Sequence, residues 1–255
     1  MGDGMAQRGP VALPAAVAAG EFYEGTQGGR DLEVLADARN YYRWILRQFA
    51  PFLGRRVVEI GAGLGNFSRV ILSHEGVREA VLVEPAANLF PRLRERFAGD
   101  PRVQPRHGLF EQVIPESMGA DSIVLVNVLE HVEDDLALLR HIHRRLAPGG
   151  TVLLFVPALP ALFGSIDKVA GHYRRYLKRS LAARLAEAGF TVERIRYVNL
   201  PGTIAWFLIG RVLKWRVFQP SSVQLYDRFV IPLVAAIERW WEPPAGQSLI
   251  AVARK

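Results

Sequence analysis

Apolar positions along the chain switch between two periods, and the switches mark out the elements. Over residues 31–49, Leu35, Ala38, Tyr42, Ile45 and Phe49 recur every three or four positions, which predicts an amphipathic helix stopped by Pro51. Continuous apolar runs then predict strands at 56–60, 80–83, 122–126 and 151–156, with a weaker one at 102–106. Helical patterns fall between them, at 66–73, 88–97 and 133–146. The runs VVEI, AVLV, SIVLV and TVLLFV suit parallel strands covered on both faces. The helix at 133–146 opens with Glu133, Asp134 and Asp135 and closes with Arg140, Arg144 and Arg145, so both ends complement its dipole. Leu136, Leu139 and Leu146 are its expected sheet-facing positions, and Pro148-Gly149-Gly150 turns the chain into the next strand. A helix at 177–188, stopped by Gly189, and strands at 191–198 and 248–253 follow. Residues 202–244 break the alternation with an apolar, aromatic and helical pattern, and read as an insertion. The expected class is α/β, a three-layer sandwich around a mostly parallel sheet.

At 255 residues, half of them hydrophobic, the chain suffices for one α/β domain with an elaboration, not two large domains. The expected division is an N-terminal arm at 1–30, loosely docked or flexible, then a single domain at 31–255 with a helical cap at about 202–244. The apolar stretch 10–20 does not fit a signal peptide: two prolines interrupt it, and no basic start leads into a clean apolar run. Residues 200–213 are too few for a membrane span and run into Lys214, Trp215 and Arg216. The absence of cysteine excludes disulfides and thiolate metal sites and fits a reducing, cytoplasmic setting. A net charge of +7 favours acidic partners, although the same Arg-rich, Cys-free composition also follows from a GC-rich genome. Nucleic acid is a weak expectation, since no recognised binding module accompanies the charge. Nothing in the sequence gives the oligomeric state.

The chemistry centres on VVEIGAGLGNFS, residues 57–68. A strand runs into Gly61, Gly63 and Gly65 and then a helix. Glycines let the backbone turn sharply and let a ligand lie against it, and the helix start offers free N–H groups. A dinucleotide loop would need glycine where Asn66 stands, which argues against a nicotinamide dehydrogenase. Glu84 follows the second strand roughly 20 residues on, where an acid can accept both hydroxyls of a ribose. Glu59 lies inside an apolar strand and needs a partner, which an amine-bearing ligand would supply.

This segment resembles the first motif of the class I S-adenosylmethionine-dependent methyltransferases. LVEP resembles their second motif, ADSIVLVNVLEHV their fourth, and LAPGGTVLLFVP the helix end and fifth strand that follow. The four occur in order, and the resemblance spans roughly residues 41–190 plus the last strand. It implies a Rossmann-like, seven-stranded sheet whose last strand is antiparallel. It also implies S-adenosylmethionine as methyl donor and S-adenosylhomocysteine as product. Carried over by residue, Gly61, Ala62, Gly63, Gly65 and Asn66 line the methionine end, Glu59 sits beside its amino group, and Glu84 with Pro85 holds the ribose. Asn127 and Val128 lie near the sulfonium. The family's acidic residue after the third strand is missing: His107-Gly108-Leu109-Phe110 stands there, so Leu109 and Phe110 are expected to pack on the adenine instead.

The acceptor side is less determined. The Asn/Asp-Pro-Pro-aromatic motif of enzymes that methylate nucleobase or amide nitrogens is absent. Asn127 and Pro157 stand where catechol-type enzymes place metal-binding carboxylates, and His141 and His143, two apart on a helix, share no face, so no metal is expected. Asn-Val-Leu-Glu-His at 127–131 resembles small-molecule O- and C-methyltransferases, quinone-biosynthesis enzymes included. His131 is a candidate catalytic residue or a loop anchor. The segment 165–176 carries His172, Tyr173, Arg174, Arg175 and Tyr176 and resembles the G-H-x-R-R-Y stretch of a bacterial subgroup. His172 is the candidate base, with Tyr173 beside it and Arg174 or Arg175 as partners for acceptor charge. In the insertion, Trp206, Phe207, Leu208, Ile209, Val212, Leu213, Trp215 and Phe218 mix with Arg211, Lys214 and Arg216. Phe229, Ile231, Leu233, Val234, Ile237, Trp240 and Trp241 follow. That mixture suits a peripheral membrane contact, a lid over a greasy acceptor, or an ordinary cap buried on the domain or in a dimer. Tyr23, Tyr41, Tyr42 and Trp44 are placed to close the cofactor pocket. The expected activity is methyl transfer to a small or lipid-like acceptor at oxygen, with carbon methylation or a catalytically silent partner subunit as alternatives.

Overall fold

The computed structural model describes residues 38–208 and 220–255. The arm at 1–30, Tyr23, the first part of the helix expected at 31–49, and residues 209–219 of the insertion lie outside them. Seven strands form one sheet: β1 (Arg56–Ile60), β2 (Glu79–Glu84), β3 (Val103–His107), β4 (Ala120–Val126), β5 (Leu146–Pro157), β6 (Thr191–Val198) and β7 (Ser248–Arg254). Their order is β3-β2-β1-β4-β5-β7-β6. All neighbours are parallel except β7, which runs antiparallel to both β5 and β6. The Rossmann-like seven-stranded sheet with an antiparallel last strand is therefore present.

The runs without alternation are covered on both faces, and the pleat sorts their residues. Val58, Ile60, Ile123, Leu125, Val152, Leu154 and Val156 join one apolar cluster, with α4 (Phe110–Val113), α5 (Asp135–Arg145) and α7 (Lys178–Glu187) contributing to it. Val57, Val124, Leu153, Phe155, Ile250 and Val252 join the other. That face is covered by α1 (Arg39–Phe49), α2 (Asn66–Leu72) and α10 (Ile231–Ile237). Trp44, Ile45 and Phe49 of α1 are fully buried there, with Trp44 edge-on to Phe155 at 6.1 Å.

Boundaries shift where side chains override pattern. Asp134 accepts the Ala137 N–H at 2.9 Å and caps α5, so the helix starts two residues after Glu133. Its buried apolar residues are Leu138, Leu139 and Ile142, while Leu136 only borders the core. Leu146 is already strand, paired with Ala120, and a register shift before Ser122 accommodates the Pro-Gly-Gly stretch. The described part of the insertion is helical as far as Ile237: α8 (Leu200–Trp206), α9 (Pro220–Leu225), a π-turn at Tyr226–Val230, and α10. Two short helices escaped the sequence pattern, α4 and α6 (Ser165–Val169), and with α3 (Phe90–Arg96) complete the set of α-helices described. Among the described residues no helix is long and apolar enough to cross a membrane.

Candidate active site

The glycine loop leaves β1 at the carboxyl end of the sheet, where open α/β sheets bind ligands. Gly61 and Ala62 donate to the Val83 carbonyl at 2.8 and 3.0 Å, which folds the loop back over β2. All three glycines have φ between +56° and +75°, but they face different surroundings. A Cβ on Gly61 would meet Val128 at 2.6 Å, and one on Gly65 would meet Phe97 at 2.4 Å. A Cβ on Gly63 would meet nothing within 4 Å. Gly61 and Gly65 thus serve packing, and Gly63 is the one whose missing side chain leaves room for a ligand. Val128 correspondingly packs on Gly61.

Two buried carboxylates flank that space. Glu84 accepts N–H bonds from Gly63 at 2.7 Å and Ala86 at 2.8 Å, one on each oxygen. Burial raises its pKa to about 7 despite both bonds. Glu59 accepts the Ser68 hydroxyl at 2.5 Å, and burial, with the Glu84 charge adding, raises it to about 8. No Lys or Arg of the described residues stands among the groups that offset either burial. Two buried acids without a cation, beside a glycine whose Cβ position is open, fit a ligand that bears both a positive charge and a ribose. S-adenosylmethionine is such a ligand, so the residues present fit the cofactor that the motifs imply.

Other expected cofactor residues are more occupied. The Asn66 carbonyl oxygen accepts from Arg96 at 2.8 Å, and its side chain also bonds Tyr42. Pro85 and Gly108 are half-buried at their strand ends. Phe110 does not face a ligand: α4 begins there, and the ring enters the core with Val81, Val83 and Ile114, under the Arg145 guanidinium at 5.3 Å. Leu109, before it, is half-buried and extended. Asn127 takes the left-handed conformation at the end of β4 (φ 53°), its N–H held by the Phe155 carbonyl at 2.8 Å. Its side chain hydrogen-bonds Tyr41, whose hydroxyl burial pushes far above the ordinary tyrosine range.

The loops after β4 and β5, the expected acceptor side, bring a second set of charged groups together. Asp167 is fully buried and accepts from His172 Nδ1 at 3.0 Å and Arg175 Nε at 2.7 Å. Burial alone would raise its carboxyl, but the His172 bond and the Arg175 charge together hold it below the ordinary range. The Asp167 carboxylate holds the His172 ring through Nδ1 and so fixes its orientation. Glu130 is also fully buried, and neither of its oxygens hydrogen-bonds another residue. Burial raises it to about 7, against the opposing pull of His172. His131 stands edge-on to His172 with ring centroids 4.7 Å apart. Burial holds it near 3, hence neutral, and it bonds the Gly171 backbone. Ligand atoms of Glu130, His131 and His172 lie within 4.8 Å of one another, a set that could hold a metal ion and that sequence spacing did not assemble.

Three expectations change here. Tyr173 is exposed, and only its backbone N–H reaches inward, to the Glu130 carbonyl at 2.8 Å. Tyr176 is the buried one, its hydroxyl donating to Asp135 at 2.9 Å. Neither arginine is free for acceptor charge in the way expected: Arg174 pairs with Asp135 at 3.0 Å and donates to the Glu133 carbonyl at 2.6 Å. Arg175 is buried, braces Asp167 and Ala158, and lies 4.7 Å from the Trp206 ring, with Nη2 left unpartnered.

A model of a methyltransferase-domain family matches residues 34–195, more than half of the chain. A ubiquinone biosynthesis O-methyltransferase of Xanthomonas axonopodis pv. citri is 29% identical over 159 residues, 56% of this chain and 65% of that protein. The chain thus spans just under two thirds of that relative. An S-adenosylmethionine-dependent methyltransferase from Mesorhizobium loti superposes with a TM-score of 0.56 at 20% identity, covering 82% of this chain and 95% of that one. A phosphoethanolamine N-methyltransferase of Haemonchus contortus, solved with S-adenosyl-L-methionine, gives 0.58 at 21% identity, covering 85% and 52%. At such identities the two structures show a common fold alone. With the family match and the strand order, the chain belongs to the methyltransferase-domain family, the class I S-adenosylmethionine-dependent methyltransferases.

Proposed function

We propose that the chain transfers a methyl group to an oxygen of a small or lipid-like acceptor, with His172 as the base. The observation that carries this reading is the pairing of an Asp167-held imidazole with a buried Glu130 whose oxygens are unpartnered. S-adenosylmethionine, when bound, supplies a methyl on a sulfonium, which a nucleophile displaces directly. Glu59 and Ser68 would bind its methionine end. Glu84, with lone pairs left after its two backbone bonds, would accept the ribose hydroxyls. Asn127 would lie at the sulfonium. His172 Nε2 takes the proton of the acceptor hydroxyl, while Asp167 holds the imidazole in the tautomer that can do so. Glu130 accepts a hydrogen bond from a second polar group of the acceptor. His131, neutral and packed against His172, positions the base. Most of the acceleration would come from holding acceptor and methyl in line, with proton removal contributing roughly 10²–10⁴-fold.

The name of the Xanthomonas relative supports an oxygen acceptor of the quinol type. The test is S-adenosylhomocysteine formation with a panel of phenols, catechols and quinols, for the wild type and His172→Ala. Turnover by the wild type that the variant loses, with cofactor binding intact, is the expected result. Unchanged turnover by the variant removes the base role. A product methylated at carbon favours the quinone-type carbon transfer, and no turnover with any acceptor favours a silent partner subunit.

A further inference from the structure

The helical segment packed on α1 also presents a long apolar stripe to solvent. From α9 through α10 and just past it, Leu225, Phe229, Leu233, Ile237 and Trp241 recur every four residues, and Trp240 lies beside the last. Their exposures are 62, 56, 64, 57 and 48%, with Trp240 at 83%. At a helical rise the stripe runs about 24 Å. The opposite face is not spare: Ile231 and Val234 are buried in the core with α1. The exposure is therefore a second apolar face, not a poorly packed first one.

Charge tells what covers it. Of the three acids of the segment, two are buried and the third is paired. Asp227 accepts the backbone N–H groups of Asn40 and Tyr41 at 3.2 and 2.8 Å. Glu238 accepts the Asn199 N–H at 2.7 Å, and Glu242 pairs with Lys178. Arg228 and Arg239 stay exposed along the stripe, each over its aromatic neighbour, Phe229 at 5.4 Å and Trp240 at 5.2 Å. An apolar stripe flanked by Arg228 and Arg239, with tryptophans at one end, matches the headgroup layer of an anionic bilayer: rings and aliphatic side chains below, guanidinium groups at the phosphates.

We infer that this face docks the protein on an anionic lipid surface. The same segment reaches the candidate site from behind. Asp227 fixes the start of α1, whose Tyr41 bonds Asn127, and Trp206 of α8 covers Arg175. The docking does not depend on methyl transfer and is tested without it.

The test is co-sedimentation of the full chain with phosphatidylcholine vesicles, with and without phosphatidylglycerol, at low and high salt. Expected are pelleting with the phosphatidylglycerol vesicles, little with phosphatidylcholine alone, and release by salt. The double variant Phe229→Ser/Leu233→Ser should weaken pelleting at least tenfold, with unchanged circular dichroism and S-adenosylmethionine binding. Arg228→Gln/Arg239→Gln should lose the preference for anionic vesicles. Absence of wild-type pelleting, or equal pelleting by the Ser variant, overturns the inference. So does a wild-type dimer in light scattering that the Ser variant turns into a monomer without any vesicle binding, since a second copy would then cover the stripe.

Discussion

The three loop glycines share a left-handed backbone but differ in what a methyl group would meet, and that difference can be measured. In Gly65→Ala, the left-handed conformation costs about 1–2 kcal/mol. The new Cβ, 2.4 Å from Phe97 and 3.0 Å from Leu93, adds overpacking of about 1–3 kcal/mol. Both neighbours are buried, and Leu93 fully so, so neither side chain can simply swing away. The sum, about 2–5 kcal/mol, lowers Tm by roughly 4–20 °C for a chain of this size. In Gly63→Ala only the backbone cost applies, because the Cβ meets nothing within 4 Å. Its Tm should fall by roughly 2–8 °C. The same methyl would occupy the surface offered to the cofactor and weaken S-adenosylmethionine binding by about 10- to 100-fold. Differential scanning calorimetry and titration calorimetry on both variants give the two numbers. A Gly63→Ala protein that binds the cofactor as tightly as wild type would refute the assignment of Gly63 to the ligand side.

Further outcomes follow from the buried acids. Glu59, Glu84 and Glu130 have pKa values raised to about 8, 7 and 7, so the folded ligand-free state holds more protons than the unfolded chain between about pH 4.5 and 8. Their contribution to stability is full below the unfolded value and lost as pH rises through 7 to 8. Ligand-free Tm should therefore fall across that window, and Glu59→Gln should flatten the fall. A Tm that rises there contradicts the sign. A cationic cofactor favours the ionised carboxylates, so its binding at pH 7 should release protons, read as a dependence of calorimetric heat on buffer ionisation. Dialysis against a chelator should leave turnover unchanged. Loss restored by a divalent ion would instead assign Glu130, His131 and His172 to a metal.

The sheet was legible because its signals are local: unbroken apolar runs, glycines at a strand–helix junction, an acid at the end of β2. Glu59 and Glu84 were legible for the same reason, each being a charge where a strand should have none. Glu130, Asp167 and Arg175 were not, because they meet only when the loops after β4 and β5 fold together. A buried acid in a loop has no periodic pattern to violate. The position of Phe110 after β3 points to the adenine, but one turn of helix is enough to rotate it into the core. Tyr173 and Tyr176 are indistinguishable by composition; the isolated bridge of Ala158 to Tyr176 fixes which one turns inward. The apolar stripe of the insertion was visible as composition. Its separation into a buried and an exposed face required the position of α10 against α1.

The most direct measurement is isothermal titration of the full chain with S-adenosylmethionine beside Glu84→Ala. The variant removes the acceptor for the ribose hydroxyls and for the Gly63 N–H while leaving the apolar walls of the pocket. Binding by the wild type that the variant weakens at least tenfold is the expected result. Binding that Glu84→Ala leaves unchanged, or a folded wild type that does not bind at all, would contradict the account of this pocket as the cofactor site.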